Sequence, residues 1–213
     1  MKIAVCIKRV PDTELRFSIA GDGKSLDPAG LKYDISDFDG YAVEVGLRLN
    51  EKAGGGEVVA VSLGPDAVQE TIRKAISMGA ERGIHLRTES VPIDGLAVAH
   101  ALAAELRDGG YDLILFGRMA TDSANGTVGP MTAQLLGLPC VSAISQLDIA
   151  DGKGSARREL EGVEEVVKFP LPAVLTIEKM ELPAERAGGR IVGEGADAVP
   201  ELVRLLQTEA KVL

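Results

Sequence analysis

The chain has 213 residues, 46% of them hydrophobic and 26% charged, with a formal net charge of −9. That length supplies one generous domain, or one domain with an appendage, and the negative balance argues against binding to nucleic acid or to anionic membrane surfaces. No apolar run approaches the ~20 residues a transmembrane helix needs, and a 3% aromatic content without tryptophan disfavours platforms for stacking bases.

Lys2 to Ile7 reads as a short buried strand that runs straight into Lys8 and Arg9, which is not the layout of a signal peptide. Asp39 to Asn50 repeats Ala42, Val45 and Leu49 at the spacing of one helical face, with Gly46 as a small residue on it. Glu57 to Leu63 is a second strand. Gly64-Pro65-Asp66 turns it into a helix from Ala67 to Met78, with Ile72, Ala75 and Ile76 as its apolar stripe and Gly79 as the glycine that ends it. Gly83 to Arg87 gives a third strand. Asp94 is the expected N-cap of a helix from Gly95 to Arg107, which Gly109-Gly110 closes.

Asp112 to Phe116 is the fourth strand, and a helix opening near Pro130 follows, with Met131, Leu135 and Leu136 on one face. Val141 to Ile149 and Glu164 to Phe169 read as strands with no helix between them, joined by the polar turn Asp151-Gly152-Lys153-Gly154. A Pro/Gly-rich stretch, Leu182 to Gly195, precedes a terminal helix from about Asp197 to Ala210. Its broad apolar face (Val199, Leu202, Val203, Leu205, Leu206) is expected to dock on another subunit rather than on its own sheet. The expected class is α/β: a mostly parallel, Rossmann-like sheet with helices on both faces over residues 1–180, and a C-terminal arm and helix over 181–213.

The segment with most chemical content runs from Leu113 to Pro130. An apolar strand stops at Gly117, a polar glycine-bearing loop follows, and a helix begins. Strand, loop and helix N-terminus form an arrangement suited to a nucleotide phosphate, because unpaired amides and the positive helix end point at the anion. The loop is neither a Walker A motif nor a GxGxxG. Two further strand ends, Lys8 to Asp12 and Ser62 to Pro65, converge with it if the sheet is parallel, since ligands on such sheets gather at the carboxyl ends of the strands.

No catalytic constellation stands out. His85 and His100 lack partners at metal or catalytic spacing, Ser123 lacks a nucleophile elbow, and Asp12 and Asp122 read first as turn residues. The acidic run Glu159, Glu161, Glu164 and Glu165 reads as a solvated edge. Cys6 and Cys140 lie in apolar surroundings without CxxC spacing, and are expected as buried free thiols in a reducing cytoplasm.

Taken together, these segments resemble the small, β subunits of electron transfer flavoproteins over nearly the whole chain. Lys2 to Asp12 resembles the family's opening strand and basic turn. Val61 to Pro65 and Gln69 to Ala75 resemble its second nucleotide loop and the helix after it, and Met78 to His85 follows the family's wording. Gly117 to Ala133 resembles the adenine-nucleotide loop, and Arg158 to Thr176, ending Leu-Pro-Ala-Val-Leu-Thr, the family signature.

The resemblance implies an electron-carrier subunit without bond-making residues, paired with a larger α subunit that holds most of a redox FAD. The complex would carry electrons from a dehydrogenase to a quinone-reductase-type or other acceptor. This chain would bind AMP, or FAD in the same site. By position, contacts fall at Cys6, at Ser36, Asp37, Phe38 and Asp39, at Leu63, and through Gly117, Arg118, Met119, Ala120, Thr121, Asp122, Ser123, Ala124, Asn125, Gly126, Thr127 and Val128. Asn125 to Val128 would meet phosphate, while Asp122 would accept from a ribose hydroxyl or hold the loop. Lys8, Arg9, Asp12 and Thr13 would lie near the flavin junction.

The family's Asn-Pro-Phe reads Ser36-Asp37-Phe38 here. The chain also passes from Ile177 almost directly to its tail, without the usual partner-recognition segment. Two rivals use the same sheet: a stand-alone adenine-nucleotide sensor, and a pyrophosphatase-type ligase. The latter would need a Ser/Gly-rich phosphate loop after the first strand, where Lys8-Arg9-Val10-Pro11 stands instead.

Overall fold

The computed structural model describes residues 1–179, 192, 195, 198–205 and 207. The chain divides into two compact units, Met1–Glu181 and Leu182–Leu213. The first is an eight-stranded sheet in the order β5-β4-β1-β6-β10-β7-β8-β9. The strands are β1 (Lys2–Cys6), β4 (Glu57–Gly64), β5 (Arg82–Arg87), β6 (Leu113–Gly117), β7 (Cys140–Ala150), β8 (Lys153–Leu160), β9 (Val163–Pro170) and β10 (Ala173–Ile177). Pairing is parallel from β5 through to β7, and antiparallel in the β7-β8-β9 meander. A separate ribbon pairs β2 (Arg9–Pro11) with β3 (Tyr33–Ile35).

Successive residues of a strand point to opposite faces, so the central strands feed two cores. Ile3 and Val5, with Leu113 and Leu115, join Ala42, Val43 and Leu49 of α1 (Asp37–Lys52) and Ile72 and Ala75 of α2 (Val68–Met78). Ala4 and Cys6, with Ile114 and Phe116, join Leu102 and Leu106 of α3 (Gly95–Leu106) and Ala133 of α4 (Val128–Leu136). Helices thus cover both faces, and the α/β expectation holds. Gly46 lets α1 lie close on the sheet, where an added Cβ would sit 3.2 Å from a Val5 methyl.

Several details differ from the sequence reading. Ile76 is exposed, and α2 buries Val68, Thr71, Ile72 and Ala75 instead. Helix α4 fully buries Gly129, Thr132 and Ala133, while the expected Met131, Leu135 and Leu136 are half-buried, Leu136 packing against the core. Its small face allows an approach so close that a Cβ on Gly129 would meet Thr176 at 2.8 Å. The expected ends hold where caps decide them: Asp94 accepts from Leu96 N at 2.9 Å to start α3, and Gly79 ends α2 at φ 129°. The two β8–β9 arginines pair across the strands, Arg157 with Glu164 and Arg158 with Glu165. Glu164 and Glu165 of the acidic run thus form one side of a cross-strand charge pairing, while Glu159, on β8 itself, pairs with Lys179.

Cys140 is exposed, contrary to its apolar flanks; it is the first residue of β7, where the strand emerges from the loop after α4. Cys6 is buried, and burial first, then the nearby Asp39 carboxylate, holds its thiol far above the usual range. A thiol reagent at pH 8 should therefore modify one cysteine in the folded chain and two in denaturant. Labelling of the folded chain, followed by quenching, digestion and mass spectrometry of the peptides, checks this; rapid labelling of Cys6 would contradict the burial.

In the second unit, α5 (Val199–Leu205) leaves Val199, Leu202 and Val203 exposed and buries Leu205. The rest of the expected terminal helix, Leu206 included, lies outside the described residues.

Candidate functional site

Strand β1 is flanked by β4 on one side and β6 on the other. The chain leaves β1 to build one half of the parallel sheet, then crosses from β5 through α3 to build the other. Ligand crevices form at the carboxyl ends of strands at such a switch point. A cavity of about 480 Å³ opens there, lined by the ends of β1, β4 and β6, the loop after β6, and the N-termini of α3 and α4. That volume is within the range of small-molecule sites.

The two helix N-termini are not equivalent. Asp94 caps α3 with its own carboxylate. Thr127 precedes α4 without a side-chain cap bond, and Pro130 in its first turn has no amide hydrogen. The amides of Val128 and Gly129 are therefore left for an external acceptor, at the positive end of an uncapped dipole. Gly126, at φ 63°, turns the loop toward this end, and Gly95 keeps the α3 entry open: a Cβ there would crowd Thr127 Oγ1 at 3.1 Å.

Beneath the cavity lies a brace. Asp39, in the first turn of α1, accepts from Lys8 N through Oδ2 at 2.8 Å and from Gly117 N through Oδ1 at 2.9 Å, so one carboxyl ties the ends of β1 and β6 together. Burial is the largest influence on it and lifts its pKa to about 7, against the two amide hydrogen bonds and Lys8, which favour the charge. Gly117 is fitted to this brace, since a Cβ would lie 2.5 Å from Asp39 Oδ1 and 2.6 Å from Asp39 N. Ser36, fully buried, takes no part in capping α1; its Oγ accepts from Thr121 N at 3.2 Å and anchors the loop.

The charges around the cavity are mostly paired. Lys8 Nζ donates to Asp122 Oδ1 at 2.7 Å, tying the loop to the segment after β1, and Arg118 pairs with Glu178. Arg9 instead lies with its guanidinium 3.6 Å from the Tyr33 ring centroid. Among the described residues no group of three or more His, Cys, Asp or Glu is placed to hold a metal ion. No helix among them is long and apolar enough to cross a membrane.

The fold and the cavity meet an independent line of comparison. The model of the electron transfer flavoprotein domain matches residues 25–201. The chain belongs to the electron transfer flavoprotein family. Its similarity lies with β subunits: that of Syntrophomonas wolfei is 38% identical over 176 residues, covering 83% of this chain and 69% of the relative. The human β subunit is 37% identical over 179 residues, 83% and 70% of the two chains. That of Bacillus subtilis is 30% identical over 260 residues, spanning 100% of both. Since 260 aligned positions meet 213 residues here, a segment of that relative has no counterpart in this chain.

Within this family member, the cavity gathers Cys6, Asp39 and Leu63 with Gly117 to Ala120, Asp122, Ser123 and Asn125 to Val128. Ser36, Asp37, Phe38, Thr121 and Ala124 do not line it; Ser36 and Thr121 serve by holding the loop. The sequence reading missed the wall formed by Val91, Pro92 and Ile93, where Ile93 is 99% exposed. Three apolar residues inside the polar stretch Thr88 to Asp94 were its only signal.

Proposed function

We propose that this chain is the small subunit of a two-subunit electron transfer flavoprotein and holds an adenine nucleotide, AMP or the AMP portion of FAD, in the cavity at the switch point. The observation that carries the reading is the uncapped α4 N-terminus facing a 480 Å³ cavity at the ends of β1, β4 and β6, in a chain similar to β subunits throughout its matched length. In this reading the amides of Val128 and Gly129 receive the phosphate, and Cys6 and Leu63 supply apolar surface to the base. Asp39 and the Lys8–Asp122 pair keep the loop and strand ends in register.

The redox FAD, held mainly by the α subunit, supplies the electron-transfer chemistry between a dehydrogenase and a quinone-reductase-type or other acceptor. Thr13 faces that junction, and the exposed Val199, Leu202 and Val203 of α5 dock on the α subunit. The complex works in the cytoplasm. The test is to purify the chain with its α-type partner and identify by chromatography the nucleotides released by heat. One AMP and one FAD per heterodimer supports a structural nucleotide in this subunit. Two FAD and no AMP makes it a second flavin site. A folded complex free of FAD would overturn the carrier reading and favour a stand-alone nucleotide sensor.

A further inference from the structure

Three cationic side chains line the cavity of a chain whose net charge is −9. Lys8 is neutralised by Asp122 and Arg118 by Glu178. Arg9 has no carboxylate partner among the described residues. Buried side-chain polar atoms without a hydrogen bond among those residues are Arg9 Nε, Asn50 Oδ1 and Arg158 Nε, and of these three residues only Arg9 lines the cavity. A guanidinium atom stripped of water and given no acceptor costs free energy unless a ligand supplies the acceptor. Tyr33 meanwhile holds the planar group in place by stacking.

The first phosphate of a nucleotide has its receptor at the α4 amides, which follow β6. Arg9 begins β2 and enters from the β1 end of the cavity. We propose that Arg9 is a specificity-determining residue of this site, which receives a second phosphate group and so selects an adenosine diphosphate moiety over AMP. A planar guanidinium suits this task because its fork of donors matches phosphate oxygens in pairs. The inference rests on the nucleotide-binding reading above.

The test uses the full chain stripped of nucleotide, with AMP, ADP and FAD as probes in titration calorimetry, on the unsubstituted protein and on Arg9→Gln, Arg9→Lys and Tyr33→Leu. The expected result is ADP binding about tenfold or more tighter than AMP, the order of one charge-assisted contact. In Arg9→Gln the AMP affinity stays within about twofold while ADP falls to the AMP level. Arg9→Lys keeps part of the preference, and Tyr33→Leu loses part of it because the guanidinium is no longer oriented. FAD, which carries the same pyrophosphate, follows ADP.

Equal binding of AMP and ADP to the unsubstituted chain overturns the proposal. So does an equal loss of both in Arg9→Gln, which would place Arg9 on the base or the first phosphate, and so does FAD bound as tightly by Arg9→Gln as by the unsubstituted chain. Absence of any nucleotide binding by the folded, unsubstituted chain defeats the nucleotide reading itself, and this inference with it. If Arg9→Gln fails to fold by circular dichroism and thermal melting, Arg9→Lys and Tyr33→Leu carry the same comparison of ADP with AMP.

Discussion

Gly117→Ala is expected to lower the unfolding free energy by about 3 kcal/mol, the upper range for forcing extra volume into a packed site. The constraint at Gly117 is space. A Cβ would meet Asp39 Oδ1 at 2.5 Å, Asp39 N at 2.6 Å and Phe38 C at 2.6 Å. Two of those atoms belong to the backbone of α1 and cannot swing aside, so relief requires the helix to move off the ends of β1 and β6. That movement also breaks the bond from Gly117 N to Asp39.

Gly40→Ala, one residue beyond Asp39 in α1, is the matched comparison. A Cβ there meets nothing within 4 Å, and alanine should stabilise the helix by about 0.5–1 kcal/mol. Urea denaturation of both variants checks the pair. A Gly117→Ala protein as stable as the unsubstituted chain would show that α1 is not packed on the strand ends as described.

The strands that were legible are those buried on both faces. β1, β4 and β6 are near-continuous apolar runs because helices cover them on either side. β10 is just as buried, with all five residues inside, yet nothing in Leu171-Pro172-Ala173-Val174-Leu175 tells that it inserts between β6 and β7. That placement is a long-range pairing, invisible to local pattern. β8 was hidden for another reason: Lys153-Gly154-Ser155-Ala156-Arg157-Arg158 buries only Gly154 and Ala156, and charge pairs with β9 replace the apolar alternation of an ordinary strand. β2 and β3 are three residues each and pair across a long loop.

The candidate site divides along the same line. The loop from Gly117 to Val128 was readable, since an apolar strand, a glycine-bearing loop and a helix start are all local signals. The brace was not. An acid in the first turn of a helix reads as ordinary dipole chemistry, and only the tertiary fold turns Asp39 toward the amides of Lys8 and Gly117. The pairing of Asp122 with Lys8, 114 residues away in sequence, lay beyond local pattern as well. The uncapped state of α4 was equally out of reach, because Thr127 is a residue type that commonly caps and here does not.

Asp39 carries the other large effect, and it acts on two readouts. Asp39→Ala orphans the amides of Lys8 and Gly117, and each buried donor left unmade costs about 1–3 kcal/mol. The loss should therefore rival that of Gly117→Ala. Asp39→Asn keeps one acceptor but turns an amide donor toward the second N–H, so it is expected to be destabilised, though less than Asp39→Ala. It also removes the titration. Asp39 has a folded-state pKa of about 7 against 3.8 for the ordinary group, because burial opposes its charge more than Lys8 and the two amides favour it; Asp122 adds to the rise. The folded chain then binds more protons than the unfolded chain between those values. Its contribution is full below about pH 4, falls as pH rises through 7, and is flat above, with an upper bound of roughly 4 kcal/mol. The difference in unfolding free energy between the unsubstituted chain and Asp39→Asn should accordingly shrink from pH 4 to pH 7.5 in favour of the variant. Parallel stability profiles across that range would mean that Asp39 is charged throughout, and that the amides of Lys8 and Gly117 outweigh its burial.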